Sequence, residues 1–274
     1  MERHIAGCTL RVGRRVGFGG AAAAVAVAAL AVAIPSAQGS TEARRKSFDE
    51  ILDLDVRDGM VYYRALKAER ARLDGYIGSL AAVSIDSAPR EEQIAFWINA
   101  YNAIVLQTVI DHYPISQRTR DYPARSIRQI PGAFERLQHR IGGRSVTLDQ
   151  IEQTILSGFH DPRVYLALGR GAIDGGRLRS EAYAPEKVDQ QLTETATECG
   201  GRSQCVQIDP AQNKARVSSI FSWRERDFVA AYAAKAPDTF GARSPIERAA
   251  LAFISPSLLM TELEFLQKNE FKME

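Results

Sequence analysis

Cysteine and histidine are scarce in this chain of 274 residues: three cysteines, Cys8, Cys199 and Cys205, and four histidines, His4, His112, His139 and His160. The histidines share no metal-ligand spacing with one another or with the cysteines, which argues against a structural or catalytic zinc. There is no Cys-x-x-Cys, no nucleophile elbow, no phosphate-cradling loop and no basic-aromatic stripe for nucleic acid. Gly169-x-Gly171 follows an apolar stretch, but the third glycine of a dinucleotide fingerprint is misplaced and no helix is expected to open there. Past residue 39 no apolar run is long enough to cross a bilayer, and no internal repeat occurs. No cofactor, metal or nucleic-acid partner is expected.

What is present begins with an address. Arg3, Arg11, Arg14 and Arg15 precede an alanine-rich apolar run from Phe18 to Ile34, and Pro35 to Gly39 supplies small residues suited to cleavage. Residues 1–39 therefore read as a secretory signal peptide, with an uncleaved anchor as the competing reading. They hold four arginines and one glutamate, so without them 35 basic and 33 acidic residues become 31 and 32. The small positive charge belongs to targeting and does not mark a polyanion-binding protein. Location is expected to be periplasmic or extracellular, with no membrane span after cleavage. In an oxidising compartment Cys199 and Cys205, across a short polar loop, are disulfide candidates; a redox pair or two free thiols are the alternatives.

Residues 40–59 are expected as a lead-in, with Ser40 to Lys46 flexible, and residues 60–274 as one domain. Tyr62 to Leu80 has the spacing of one amphipathic helix. Ile94 to Leu106 is apolar on nearly every face, so its helix, opened by Arg90 to Gln93 and ended by Pro114, must lie in the core. Residues 115–139 are loop-rich and basic. Arg140 to Val146 predicts a hairpin turning at Gly142-Gly143, and Thr147 or Asp149 can cap a helix over Leu148 to Leu156. Val164 to Leu168 reads as a short buried strand. Pro185 starts a helix to about Thr197, Val206–Ile208 and Lys214–Val217 form a second hairpin, and helices over Trp223–Ala234 and Pro245–Phe253 lead to a charged tail. Helices with a few short strands, in no strict βαβ alternation, predict an α+β fold: one helix-rich domain with a small antiparallel sheet of strands and hairpins.

The segment Phe96-Trp97-Ile98-Asn99-Ala100-Tyr101-Asn102-Ala103 with His112-Tyr113-Pro114 resembles the signature of the domain of unknown function 547 family. Ser126-Ile127-Arg128, Thr147 to Glu152, Asp161 to Leu168, Ser219 to Trp223 and Asp227-Phe228 resemble further motifs of that family, in order. The resemblance also implies positions where this chain departs. Relatives typically carry histidine where it has Gln153 and Tyr165, and cysteines where it has Arg170 and Gly175. At the tail, Lys268-Asn269-Glu270 replaces a Tyr-Asp-Trp signature.

A cysteine, histidine and carboxylate in one pocket would serve thiol catalysis. Arginine and glycine exclude that chemistry at these positions. Two readings stay open. In the first, the chain is a non-catalytic binding module for an anionic small molecule or an envelope component, with Asn99, Asn102, Glu152, Tyr165, Arg170 and Arg177 lining its site; Arg163 and Arg179 belong to the same basic set. In the second, it is a hydrolase or transferase using carboxylate acid-base chemistry, with Glu152, Asp174 and His160 as candidates. Each residue also has a plainer role: buried asparagines commonly satisfy backbone groups, arginines are commonly solvated, Glu152 can pair with an arginine, and His160 can sit in a turn before Pro162.

Overall fold

A computed structural model describes residues 37–116, 118–171 and 176–274. Most of the expected signal peptide, together with Asp174 and Gly175, lies outside the described residues. Helix α1 (Ala37–Asp55) takes in the stretch expected as a flexible lead-in. It is held because Phe48, Ile51 and Leu52 fall on one face and are buried, and Phe48 stacks on Tyr76 with ring centres 4.5 Å apart. A short ribbon, β1 (Val56–Arg57) with β2 (Met60–Val61), follows. The single helix expected over Tyr62 to Leu80 is two, α2 (Tyr63–Ala68) and α3 (Ala71–Leu80), broken at Glu69-Arg70. The break aims Leu66 of the first and Leu73, Tyr76, Ile77 and Leu80 of the second at the core.

The organising element is α4 (Arg90–Asp111). Glu91 and Glu92 occupy its first turn, where negative charge suits the helix dipole. From Ile94 to Leu106 only Phe96 is not fully buried, and each large apolar side chain so placed contributes roughly 1.5–3 kcal/mol. A helix buried all round must satisfy its own polar side chains, which determines how the rest of the chain lies against it.

The hairpin β3 (His139–Ile141) and β4 (Arg144–Val146) turns at Gly142-Gly143, as expected. Both glycines have positive φ, and a Cβ on Gly142 would press on the Trp97 ring at 3.3 Å. Their N–H groups donate to the carbonyls of Leu80 and Ala81, closing the C-terminal end of α3. Thr147 then caps α5 (Leu148–Gln150) in a reciprocal capping box with Gln150. The helix continues as a wider π-turn over Ile151–Leu156.

Residues Val164 to Leu168, expected as a strand, form none: Val164 to Leu166 belong to a 3-10 helix spanning Pro162–Leu166, and Ala167 and Leu168 follow it as irregular chain. Pro162 occupies its first position and the Asp161 side chain accepts from the Arg163 N–H, a local helix start that outweighs the apolar run. Beyond a 3-10 turn at Pro185–Lys187 comes α6 (Val188–Gly200), and a disulfide joins its Cys199 to Cys205, with Cα atoms 5.3 Å apart. The second hairpin pairs β5 (Val206–Asp209) with β6 (Lys214–Val217). Next come α7 (Ile220–Trp223), α8 (Glu225–Tyr232), α9 (Pro245–Ile254) and α10 (Met260–Gln267). The tail is ordered, since β7 (Lys272–Met273) adds to β6 in parallel. The architecture is α+β, rich in helix, with three small sheets among the described residues. Among the described residues no helix is long and apolar enough to cross a membrane.

Candidate functional site

Glu152 enters the protein interior from the π-turn that follows α5, and its side chain is 6% exposed. Five donor contacts converge on its two oxygens. Arg170 approaches side-on, Nη2 to Oε1 at 2.6 Å and Nε to Oε2 at 3.1 Å. Arg224, in the junction between α7 and α8, reaches Oε1 through Nε at 3.1 Å and through Nη2. The Tyr101 hydroxyl, on α4, donates to Oε2 at 3.1 Å. A carboxylate offers about four lone-pair directions, so this one is fully engaged.

The cluster closes on itself. Arg170 Nη1 donates to the Tyr165 carbonyl at 2.6 Å, the Tyr165 hydroxyl donates to Asp227, and the Arg224 guanidinium lies 5.1 Å from the centre of the Tyr165 ring. Burial by itself would raise the Glu152 pKa; the charge and hydrogen bonds of Arg170, then those of Arg224, overcome it and hold the carboxyl below its ordinary value. Burial raises the Tyr101 phenol, and the adjacent Glu152 charge raises it further, so it stays a proton donor in the hydrogen bond. Burial also raises Tyr165, as does its bond to Asp227. A carboxylate kept ionised by two cations, with its oxygens occupied, is a poor general base.

Thus the structure does bring together Glu152, Tyr165 and Arg170, but as mutually satisfied partners. Arg170, expected to face a ligand, is 9% exposed and spends its charge on Glu152. The other arginines of the basic set are also engaged. Arg177 pairs with Glu198 at 2.5 Å and Asp58 at 3.4 Å; Arg163 pairs with Asp161 and Asp189; Arg179 pairs with Glu181 and Glu194. These carboxylates, distant in sequence for the most part, already partner the arginines that suggested an anionic-ligand surface.

Asn99 and Asn102 turn out to be backbone brackets. Asn99 donates to the Tyr183 carbonyl at 2.8 Å and accepts from the Tyr183 N–H at 2.9 Å. One helical turn on, Asn102 donates to the Ala167 carbonyl at 3.1 Å and accepts from the Gly169 N–H at 2.8 Å. Each amide mimics one rung of a β-ladder and fastens a distant segment to α4. Gly176 completes the closure: a Cβ there would stand 1.3 Å from the Leu166 carbonyl oxygen. His160 lies apart, exposed at a left-handed position (φ 54°) that ends a 3-10 turn. Among the described residues no group of three or more His, Cys, Asp or Glu could hold a metal ion.

Tyr101, Arg224 and Asp227 were not legible as parts of this cluster. The one available signal is Tyr101 itself, since a hydroxyl on an all-round apolar helix requires a buried partner. A separate cavity of about 220 Å³ lies among β6, α7, α9 and β7, floored by Val217, Phe221, Ala250 and Met273. Its carboxylates are occupied elsewhere, Glu247 by Ser244 and Arg243 and Glu274 by Lys214, Arg216 and Lys272.

Residues 85–198 match the family described as "Protein of unknown function, DUF547". That match spans α4 and the segments it brackets together with Glu152 and Arg170, and it supports assignment of the chain to the DUF547 family. No curated protein and no solved structure was found to match it.

Proposed function

We propose that this chain is an exported, non-catalytic binding member of the family, acting at the cell envelope, in which a structural ion cluster stands where a reaction centre would be. The observation that carries this reading is the saturation of Glu152 by Arg170, Arg224 and Tyr101. In this reading Arg170 and Tyr165 correspond to a cysteine and a histidine position of the family, and both belong to the shell that neutralises or encloses the carboxylate. The basic, apolar and small-residue order of residues 1–39 supports export.

The rival reading, carboxylate acid-base catalysis, needs a carboxylate with a lone pair open to substrate and a pKa raised toward neutrality. Glu152 has the opposite environment. Binding is therefore sought on the surface, away from the cluster.

Turnover of ester, amide and glycoside substrates by the full chain and by Glu152→Gln tests the proposal. The expected result is no Glu152-dependent turnover, together with recovery of the protein in the envelope or external fraction of the producing cells. Turnover that disappears in a folded Glu152→Gln protein would overturn it.

A further inference from the structure

From Arg118 to Arg140 six arginines accompany two carboxylates, Asp121 and Glu135. Arg128 is paired with Glu135 and lies over Phe134, whereas Arg118, Arg120 and Arg125 are exposed on a loop whose only carboxylate is Asp121. The tip of that loop, Tyr122-Pro123-Ala124, is exposed too. An apolar tip with arginine on both shoulders is an amphipathic projection, and the overall charge balance of the chain conceals it.

The loop is built, not loose. Gln129, 2% exposed, reads it from beneath: Oε1 accepts from the Thr119 N–H at 2.6 Å, and Nε2 donates to the carbonyls of Tyr122 at 2.7 Å and Thr119 at 3.2 Å. A buried amide spent on holding an exposed basic loop lowers the ordering cost of any binding by it. Arg125 sits at φ 66°, where glycine is the unstrained choice. An arginine in that position stores backbone strain.

We infer that the 118–125 loop docks on an anionic phospholipid surface, with Tyr122 at the headgroup level and Arg118, Arg120 and Arg125 on lipid phosphates. This deepens, and rests on, the reading of the chain as an envelope-binding module. Arginine forks match phosphate oxygens, and a tyrosine ring favours the interface between headgroup and hydrocarbon. A tip of aromatic, proline and small apolar residues suits partition into that interface better than contact with a soluble, fully hydrated polyanion. Asp121 is the opposing charge and weakens the contact.

The experiment uses the full chain carrying Tyr122→Trp and Trp223→Phe, which leaves the introduced indole and the buried Trp97 as its tryptophans, so that a change in emission reports on the loop. It is titrated with phosphatidylcholine vesicles, with and without phosphatidylglycerol. The expected result is a blue shift only with phosphatidylglycerol, weakened about fivefold for each arginine removed. Arg120→Gln and Arg125→Gly supply those removals, and Asp121→Asn is expected to strengthen binding. Arg125→Gly relieves backbone strain, so its loss of binding at unchanged or higher melting temperature separates docking from folding.

No shift with phosphatidylglycerol, a shift indifferent to the loop variants, or one abolished by an equal phosphate concentration of soluble polyphosphate would overturn the inference; in the last case the loop binds a soluble polyanion. These results leave the non-catalytic reading standing, because that reading fails only on Glu152-dependent turnover.

Discussion

The side-chain amide of Asn99 and the main chain of Tyr183, 84 residues apart, exchange two hydrogen bonds at 2.8 and 2.9 Å inside the protein. Asn99→Ala orphans a buried N–H and a buried carbonyl together, at roughly 1–3 kcal/mol for each group. A loss of about 2–4 kcal/mol is expected in urea unfolding. If Asn99 merely lined a ligand site, the same variant would leave stability unchanged.

The Glu152 cluster should respond asymmetrically. Glu152→Gln strands two guanidinium groups around a neutral amide, and breaking a buried ion pair in this way costs about 3–5 kcal/mol. Arg170→Met leaves Glu152 still neutralised by Arg224, with an apolar chain of similar length in the space. The arginine variant is therefore expected to be the more stable of the two, by chemical unfolding at neutral pH.

Acid should act through the same carboxylate. Its folded pKa lies below the ordinary 4.5. The stabilisation it provides is complete above the unfolded-state value and is lost as pH falls through the depressed folded one. Wild-type stability is thus expected to decline below about pH 4.5. Glu152→Gln, already destabilised, should lack that component of the decline. Parallel acid limbs in the two proteins would contradict the assignment.

Gly176→Ala puts a methyl group into the Leu166 carbonyl. The obstacle is backbone, not a flexible side chain, so the loop must move. A loss of about 1–3 kcal/mol is expected, with faster amide exchange at Gly169, whose N–H bond to Asn102 belongs to the same closure.

Cys199 and Cys205 are both 2% exposed and close a short loop between α6 and β5. Replacing both with serine should lower stability by about 2 kcal/mol, read as a fall in melting temperature. Added reductant should reproduce that fall only slowly, since the sulfurs are reached after local opening.

Much of the scaffold was legible from local pattern. The all-round apolar run marked α4 as the core helix, Gly142-Gly143 marked the hairpin turn, and Thr147 marked a helix start, because each signal acts over a few neighbouring residues. Local pattern failed where it was ambiguous. Val164 to Leu168 is too short an apolar run to reveal a period, and Pro162 with Asp161 turned its first three residues helical. No proline or glycine announces the break between α2 and α3. Among the site residues, the bracket role of Asn99 and Asn102 was one of two readings, and only contact with Tyr183, Ala167 and Gly169 separated them.

The sequence by itself determined that this chain has a central buried helix in an α+β frame, and that Arg170 and Tyr165 cannot perform thiol chemistry. The tertiary structure alone decided the role that Glu152 takes. Glu152 meets Arg170, Tyr101 and Arg224 across separations of 18, 51 and 72 residues, and no periodicity reports which charges will share a desolvated space. A carboxylate's role as base, ligand or structural anion depends on the partners that folding places around it, and here those partners occupy it completely.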